Sequence, residues 1–319
     1  MSAARPFADS MQVLVTGGAG FIGSNFVRHL LSETTVDVTT LDALTYAGSK
    51  QNLEGILDNP RHTFVEGDIR DKELAQRLVT EADVVVNFAA ESHVDRSIND
   101  SSHFVSTNVE GTQTLLDASR HEDIERFVQI STDEVYGETL TGEFQEDDEL
   151  NPRNPYSATK AGADLLARSY YTTYDLPVVI TRASNNYGPR QHREKLIPKL
   201  ITNALNGEHL PIYGDGTNVR EWIFVEDHCR AIRFLMSNGK NGEIYNIGSG
   251  EELQNKDVAE KIVEAVDASP DLIEFVEDRP GHDQRYALDT TKLRNLGWEP
   301  TVPFEEGLKR TVRHYTSQK

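Results

Sequence analysis

Near the start of the chain, residues 11–31 read MQVLVTGGAGFIGSNFVRHLL. The apolar run Gln12–Thr16 predicts a strand, and apolar residues at helical spacing from Phe21 to Leu31 predict a helix. The turn between them carries the spacing G-x-x-G-x-x-G, formed by Gly17, Gly20 and Gly23. Glycines in such a turn let the backbone approach a pyrophosphate, whose charge lies at the helix N-terminus. The stretch therefore predicts a dinucleotide site at the first turn of a Rossmann-type fold.

An acidic residue follows at the spacing that selects between dinucleotides. Asp42 lies 19 residues after Gly23, at the end of the second predicted strand, Val36–Leu41. A carboxylate there accepts the ribose hydroxyls and repels a 2′-phosphate, so the sequence predicts NAD rather than NADP. Asp68 and Ile69 follow the third predicted strand, and Asp68 either flanks the adenine or forms a turn.

Strands and helices alternate through the first two thirds of the chain. Further predicted strands are Val84–Phe88, Phe127–Ser131 and Val178–Thr181, and further predicted helices are Asn108–Arg120 and Pro155–Tyr171. This alternation predicts an α/β fold, a Rossmann-type doubly wound parallel sheet with a smaller C-terminal substrate-binding lobe. We expect a disordered leader at 1–10 and an NAD-binding domain at 11–186 with return elements at about 221–248. The smaller, substrate-binding lobe is then 187–220 and 249–319, with a ligand cleft between the lobes.

The composition narrows the class of protein. The net charge of −20 argues against nucleic acid or an anionic membrane as the main partner. The chain has neither an apolar run of about 18 residues nor a secretory signal, so we expect a cytoplasmic protein. Its one cysteine, Cys229, has no cysteine partner for a disulfide or a metal, and no metal site is predicted. The acidic, lysine-poor composition indicates either a halophilic protein or a merely acidic enzyme.

Two motifs carry the predicted chemistry. The run Thr132-Asp133-Glu134 ends a predicted strand, where ligands of open α/β sheets lie. Tyr156 and Lys160 stand four apart on one helix face, and a nearby ammonium lowers the pKa of a tyrosine. Such a tyrosine can take the proton of a sugar hydroxyl, and the carboxylates can act as a general acid and a general base. Alone, each motif is also compatible with an exposed ion pair or a solvated acidic loop.

Ten stretches together resemble the extended short-chain dehydrogenase/reductase family, and within it the dTDP-glucose 4,6-dehydratases. They are TGGAGFIGSN from Thr16, LDALTYAG from Leu41, FAAESHVDRSI from Phe88, ISTDEVYG from Ile130, PYSATKA from Pro155, SNNYGP from Ser184, EKLIP from Glu194, REWIFVEDH from Arg220, YNIG from Tyr245 and DRPGHDQRYALD from Asp278. STDEVYG and DRPGHD are the specific ones, since epimerases and decarboxylases of the family share the glycine run and the Tyr-Lys pair.

The resemblance implies a role for each catalytic residue. Tyr156, supported by Lys160, takes the C4 hydroxyl proton, while Thr132 hydrogen-bonds that hydroxyl and hydride passes to NAD. Glu134 then removes the C5 proton, and Asp133 protonates the C6 hydroxyl, which leaves as water. Hydride returns to C6 and gives a 4-keto-6-deoxy sugar for deoxysugar and glycan biosynthesis, including protein glycosylation.

The resemblance also implies binding residues and an assembly. Matching cofactor positions, besides the three glycines, Tyr156 and Lys160, are Phe21, Ile22, Asp42, Thr45, Asp68, Ile69, Ala89, Ala90, Thr107 and Asn186. Matching sugar-nucleotide positions, besides Thr132, are Ser92, Asn185, Lys195, Leu196, Pro211, Tyr213, Arg220, Asn246, Arg279 and His282. The predicted helices Asn108–Arg120 and Pro155–Tyr171 are expected to form a four-helix bundle in a homodimer.

Departures from the family pattern lie near the nucleotide side of the expected pocket. Arg190, His192 and Arg193 stand where the family usually has Tyr, Phe and Pro, which leaves thymidine or uridine open. A 4-epimerase is a second reading inside the enzyme class, although epimerases typically lack the Asp-Glu pair. A non-catalytic NAD-binding sensor or scaffold is a third, although such proteins usually lose the tyrosine or the lysine.

Overall fold

The computed structural model describes residues 11–278 and 283–317. The predicted leader at 1–10 and the predicted substrate contacts Arg279 and His282 lie outside the described residues. The strands, in chain order, are β1 Gln12–Thr16, β2 Asp37–Asp42, β3 His62–Glu66, β4 Val84–Asn87, β5 Arg126–Thr132, β6 Val178–Ala183, β7 Asn185–Tyr187, β8 Leu210–Tyr213, β9 Val219–Phe224, β10 Ile244–Ile247, β11 Glu252–Gln254 and β12 Ile273–Val276.

Eleven α-helices accompany these strands in the described ranges. They are α1 Phe21–Glu33, α2 Lys72–Thr80, α3 Val94–Asn99, α4 Ser102–Phe104, α5 Thr112–Ser119, α6 Pro155–Tyr174, α7 Leu196–Asn206, α8 Val225–Asn238, α9 Asn255–Val266, α10 Thr291–Asn295 and α11 Phe304–Thr316. A π-helical turn, Val105–Gly111, joins α4 to α5. None of the described helices combines the length and apolar character that crossing a membrane requires.

A seven-stranded parallel sheet forms the centre of the molecule, in the order β10-β6-β5-β4-β1-β2-β3. Alternate residues of β1 face opposite layers: Val13 and Val15 pack toward α1 and α8, whereas Leu14 packs toward α5 and α6. Because helices cover both faces of the sheet, its strands are apolar on both sides, and all four residues of β4 are buried. The predicted Rossmann-type fold is confirmed, and the carboxyl ends of its strands lie at one edge.

A second lobe contains two small sheets, β11-β9-β7 and β12-β8. Its core joins α7, α9 and α11 around a cluster of aromatic side chains, Tyr187, Trp222, Phe224 and Phe304. Of the elements expected to return to the main sheet at about 221–248, the strand β10 lies beside β6. The strand β9 instead pairs with β7 and β11, because its large aromatic residues pack in the core of the second lobe.

The chain passes from one lobe to the other within a single residue. Strand β6 of the main sheet ends at Ala183, and strand β7 of the second lobe begins at Asn185. Between them, Ser184 is buried and its backbone N–H donates to the carbonyl of Ile247 in β10 at 3.0 Å. The two strands therefore belong to different sheets without an intervening loop.

Candidate active site

A cavity of about 530 Å³ lies at the carboxyl edge of the main sheet. All five predicted catalytic residues line it: Thr132, Asp133, Glu134, Tyr156 and Lys160. Every predicted cofactor position lines the same cavity: Gly17, Gly20, Phe21, Ile22, Gly23, Asp42, Thr45, Asp68, Ile69, Ala89, Ala90, Thr107 and Asn186. Of the predicted sugar-nucleotide positions, it further includes Ser92, Asn185 and Lys195.

The glycine turn after β1 has no space for side chains. Gly17 has a φ of +67°, and a Cβ there would lie 2.6 Å from the backbone nitrogen of Ala89. A Cβ on Gly23 would lie 2.3 Å from the carbonyl oxygen of Gly17. The helix α1 then begins at an N-cap, Gly20, that supplies no side-chain acceptor to the first turn. The N–H groups of this turn can therefore bind an anionic group lying against the glycines.

Asp42 is held in a fixed orientation at the end of β2. One carboxylate oxygen accepts from the backbone N–H of Ala19 and the other from that of Leu44, each at 2.8 Å. Burial raises the pKa of Asp42, and these two hydrogen bonds oppose the rise. A carboxylate offers about four acceptor positions, so this one can also accept from ribose hydroxyls in the cavity.

The catalytic motif occupies the turn that ends β5. Thr132 is the last residue of the strand, and its hydroxyl donates to Asp133 Oδ1 at 3.0 Å while accepting from the backbone N–H of Glu134 at 3.2 Å. A short 3₁₀ turn, Asp133–Tyr136, follows. Asp133 is buried, and its Oδ2 atom has no hydrogen-bond partner among the described residues.

The electrostatics of this turn favour a protonated Asp133. Burial, followed by the nearby Glu134 carboxylate, raises the pKa of Asp133 to about 8. The Thr132 hydroxyl and the Arg220 guanidinium oppose this rise but do not outweigh it. A protonated carboxylic acid beside a second carboxylate is the arrangement expected of a general acid and a general base.

Tyr156 and Lys160 lie on α6, facing the catalytic turn. The Lys160 ammonium donates to the carbonyl of Ile130 at 2.6 Å, and burial lowers the pKa of Lys160 to about 8. Burial, together with Glu134 and Asp133, raises the pKa of Tyr156 well above its ordinary value, and a hydrogen bond with Thr132 only partly offsets this. In the protein alone the pKa of Tyr156 is therefore raised, with burial as the first cause, and the predicted effect of Lys160 on the phenol stays a prediction.

Five predicted substrate residues are not among those that line the cavity, namely Leu196, Pro211, Tyr213, Arg220 and Asn246. Leu196 begins α7 directly after Lys195, whose ammonium donates to the carbonyl of Ser92 at 2.9 Å. Pro211 and Tyr213 lie on β8, near residues 277–278. Their roles stay predictions.

Arg220 is buried, and its guanidinium donates to the carbonyls of Val219 and Asp283 at 2.7 and 2.8 Å. It also lies over the ring of Tyr286, 4.5 Å from the centroid. These contacts anchor the side chain within the second lobe, and its predicted contact with a diphosphate stays a prediction.

Asn246 makes several hydrogen bonds within the protein. It is fully buried in β10, and its amide accepts from the Tyr136 hydroxyl at 2.8 Å while donating to the carbonyls of Phe144 and Asp289 at 2.9 and 3.2 Å. These bonds hold the amide beside Tyr136 of the catalytic turn, and the predicted contact of Asn246 with the sugar nucleotide stays a prediction.

The sequence analysis missed two buried polar groups at the cavity: Asn108, which is bonded to the lining residue Glu91, and His228, which lines the cavity itself. In the π-helical turn, buried Asn108 exchanges two hydrogen bonds with the backbone of Glu91 and donates to Thr159 at 2.9 Å. His228 Nδ1 lies 2.8 Å from Asn186 Oδ1, and burial lowers the histidine pKa to about 3, so its ring is neutral. Apolar spacing does not distinguish a π turn from an α turn, but the stretch VEDH could have drawn attention to His228.

Among the described residues, no group of three or more His, Cys, Asp or Glu side chains is arranged to hold a metal ion. The site therefore consists of a glycine-lined turn and an acidic catalytic turn that open into one cavity.

Comparison with known proteins identifies the family to which the chain belongs. The profile described as GDP-mannose 4,6 dehydratase matches residues 14–311. The chain belongs to the sugar-nucleotide 4,6-dehydratase family. Proteins that resemble the chain include the low-salt glycan biosynthesis protein Agl12 of Haloferax volcanii, which is 68% identical over 96% of this chain and 98% of its own.

Bacterial 4,6-dehydratases of the same family agree over the whole described fold. The dTDP-glucose 4,6-dehydratase of Streptomyces griseus is 52% identical over 95% of this chain and 93% of its own. The crystal structure of the Streptomyces venezuelae dTDP-glucose 4,6-dehydratase DesIV, with NAD bound, matches with a TM-score of 0.94 at 51% identity, over 96% of this chain and 97% of its own. The expected halophilic character agrees with the Haloferax relative.

Proposed function

We propose that the protein is an NAD-dependent dTDP-glucose 4,6-dehydratase, which converts dTDP-glucose to dTDP-4-keto-6-deoxyglucose and water. The observation that carries this proposal is the acidic turn, where a buried acid with a pKa of about 8, Asp133, adjoins Glu134 beside Tyr156. An oxidation at C4 alone needs the tyrosine, whereas loss of water also needs an acid and a base.

The cavity fits NAD at the end formed by the glycine turn. Gly17 and Gly23 leave room only for hydrogen where a pyrophosphate would approach, and the uncapped first turn of α1 offers N–H groups to it. The Asp42 carboxylate would hold the ribose hydroxyls. When bound, NAD supplies a hydride acceptor for C4, a hydride donor for C6 and a positive charge that favours the phenolate.

Oxidation begins with a proton transfer at C4. Tyr156 takes the proton of the C4 hydroxyl, and Thr132, already hydrogen-bonded to the phenol, orients that hydroxyl. Lys160 lies behind the tyrosine with its ammonium fixed by the Ile130 carbonyl, from which it can stabilise the phenolate. The C4 ketone that results makes the C5 proton acidic.

Elimination then uses the two carboxyl groups in opposite protonation states. Glu134 removes the C5 proton, and the electron pair of that C–H bond forms the C5–C6 double bond. The C6–O bond breaks as Asp133 gives its proton to the departing hydroxyl, which leaves as water. Burial keeps Asp133 protonated at neutral pH and therefore ready for this step.

Incubation with dTDP-glucose tests the proposal directly. We expect a product with the alkaline ultraviolet absorbance of a 4-keto-6-deoxy sugar, with no net consumption of NAD. Conversion to dTDP-galactose would instead establish the 4-epimerase reading. Tight binding of NAD and sugar nucleotide without cofactor reduction in a single turnover would establish the sensor or scaffold.

The choice of thymidine rests on the relatives. The Streptomyces griseus and DesIV proteins are named for dTDP-glucose and cover nearly the whole chain. The departures Arg190, His192 and Arg193 call for a panel of dTDP-, UDP-, GDP- and CDP-glucose, in which we expect dTDP-glucose to react fastest. The product would serve glycan assembly, as the name of the Haloferax relative indicates for that protein.

We further propose a homodimer formed by α6 and the helical stretch from Ser102 to Ser119. These elements pack side by side, and each exposes a large apolar side chain, Leu165 at 57% and Val105 at 51%. A second copy would cover both and complete the four-helix bundle. The cytoplasmic location stays a prediction from the sequence.

A further inference from the structure

Asn154, immediately before α6, makes hydrogen bonds in two directions. Its Oδ1 atom accepts from the backbone N–H of Ser157 at 2.9 Å, and its own backbone N–H lies 3.3 Å from Ser157 Oγ, which completes a capping box. Its amide nitrogen, Nδ2, points away from the helix and donates to Glu134 Oε2 at 3.3 Å. The N-cap residue thus contacts a carboxylate of the catalytic turn.

This contact joins two segments that must keep a fixed distance. Glu134 is anchored at its backbone by the Thr132 hydroxyl, and at its carboxylate by Asn154. Tyr156 follows Asn154 by two residues, in the first turn of the same helix. One side chain therefore sets both the start of the helix that carries Tyr156 and the orientation of the Glu134 carboxylate.

We propose that Asn154 is a positioning residue for removal of the C5 proton, holding the Glu134 carboxylate toward the substrate as a hydrogen-bond acceptor. The inference rests on the proposed dehydratase function. Asn154 does not exchange a proton in this scheme: the C5 proton passes to Glu134, and the amide stays a neutral donor throughout. Its effect should therefore be confined to elimination and should spare oxidation at C4.

The surroundings of Glu134 explain why a neutral donor is useful there. Among the described residues, Asp133, Tyr156 and Tyr286 interact electrostatically with the carboxylate, and Arg220 is a cation that does so. A hydrogen bond to a carboxylate favours its ionised form, which is the form that can accept the C5 proton. Asn154 supplies such a bond without adding a further charge.

Two substitutions remove the donor and keep the helix cap. Asn154→Asp retains an acceptor for Ser157 but turns a second carboxylate oxygen toward Glu134, and Asn154→Ser retains a capping hydroxyl that is too short to replace the amide. The matched control is Ser157→Ala, which removes the other half of the capping box and leaves the amide of Asn154 in place. All three variants should lower the melting temperature by a similar small amount.

The readout separates the two chemical steps. On rapid mixing with dTDP-glucose, the near-ultraviolet absorbance of reduced cofactor should rise at the native rate in all proteins. Its decay, which follows elimination, should slow about tenfold in Asn154→Asp and roughly threefold in Asn154→Ser, and should not change in Ser157→Ala. With substrate deuterated at C5, the isotope effect on turnover should increase in both Asn154 variants, because proton removal becomes more rate-limiting.

The pH profile adds a test that a purely structural role would not meet. Asn154→Asp should move the acidic limb of turnover to higher pH, because a neighbouring carboxylate raises the pKa at which Glu134 loses its proton. Native decay rates and isotope effects in both Asn154 variants, or equal slowing of oxidation and elimination, would overturn the inference. Formation of a product other than the 4-keto-6-deoxy sugar by the native protein would instead refute the proposed function.

Discussion

Replacement of Asp133 by asparagine should separate oxidation from dehydration. The amide has nearly the same shape, and its oxygen can keep the hydrogen bond from Thr132 that measures 3.0 Å in the native protein. What it lacks is the acidic proton. Because burial raises the pKa of Asp133 to about 8, the native carboxyl group is mainly protonated at pH 7 and can protonate the leaving hydroxyl.

A general acid typically contributes about 10²- to 10⁴-fold to its step, and we expect turnover by Asp133→Asn to fall at least 10²-fold. Oxidation at C4 should proceed, so rapid mixing with dTDP-glucose should give a lasting absorbance of reduced cofactor instead of a brief one. The alkaline limb of the native turnover profile, at which Asp133 loses its proton, should disappear. Native turnover in the variant, or failure to reduce the cofactor at all, would refute this assignment.

The same substitution should stabilise the fold. Burial raises the pKa of Asp133 in the folded state above its unfolded value near 4. Between these two values the unfolded chain releases the proton and the folded protein keeps it, so the native protein loses stability as the pH rises toward about 8. Asparagine has no such cost, so the melting temperature of Asp133→Asn should exceed that of the native protein by more at pH 8 than at pH 5. An equal difference at both pH values would show that Asp133 is ionised in the folded protein.

Three further predictions concern the cofactor site and the assembly. Gly17→Ala should abolish detectable NAD binding in calorimetry, because its Cβ would meet the Ala89 backbone at 2.6 Å; Gly142→Ala, also at positive φ but in open space, should only lower the melting temperature. Asp42→Asn should weaken NAD about tenfold and improve NADP binding, and unchanged selectivity would exclude Asp42 as the discriminating group. Leu165→Glu should sediment as a monomer if the proposed dimer is correct, and a dimer that persists would contradict it.

Those parts of the site that depend on short-range residue spacing and on the order of strands and helices could be predicted from the sequence. The glycine turn and Asp42 follow from strand–turn–helix order and spacing, and the structure brings them to one cavity with the motifs at Thr132 and Tyr156. Strand and helix order likewise follows from apolar spacing, because both faces of the sheet are covered by helices.

Tertiary contacts were not predictable in the same way. The pKa of Tyr156 depends first on burial and then on the acidic groups that the fold brings near it, and neither can be read from its spacing to Lys160. The hydrogen bonds of the Asn246 side chain are made with residues roughly 40 to 110 positions away in the chain. The strand β9 looked like its neighbours in the main sheet, but its aromatic side chains direct it to the second lobe.

The one-residue passage at Ser184 has a consequence for how ligands enter. Asn185 and Asn186, which line the cavity, are the first two residues beyond it and are hydrogen-bonded into the second lobe's sheet. Because the connection is one residue long, a movement of one lobe relative to the other would also displace Asn185 and Asn186 in the cavity wall. We therefore expect ligand exchange to depend on loops at the edge of the cavity, so that substitutions in those loops, more than at this junction, change kcat where product release limits it.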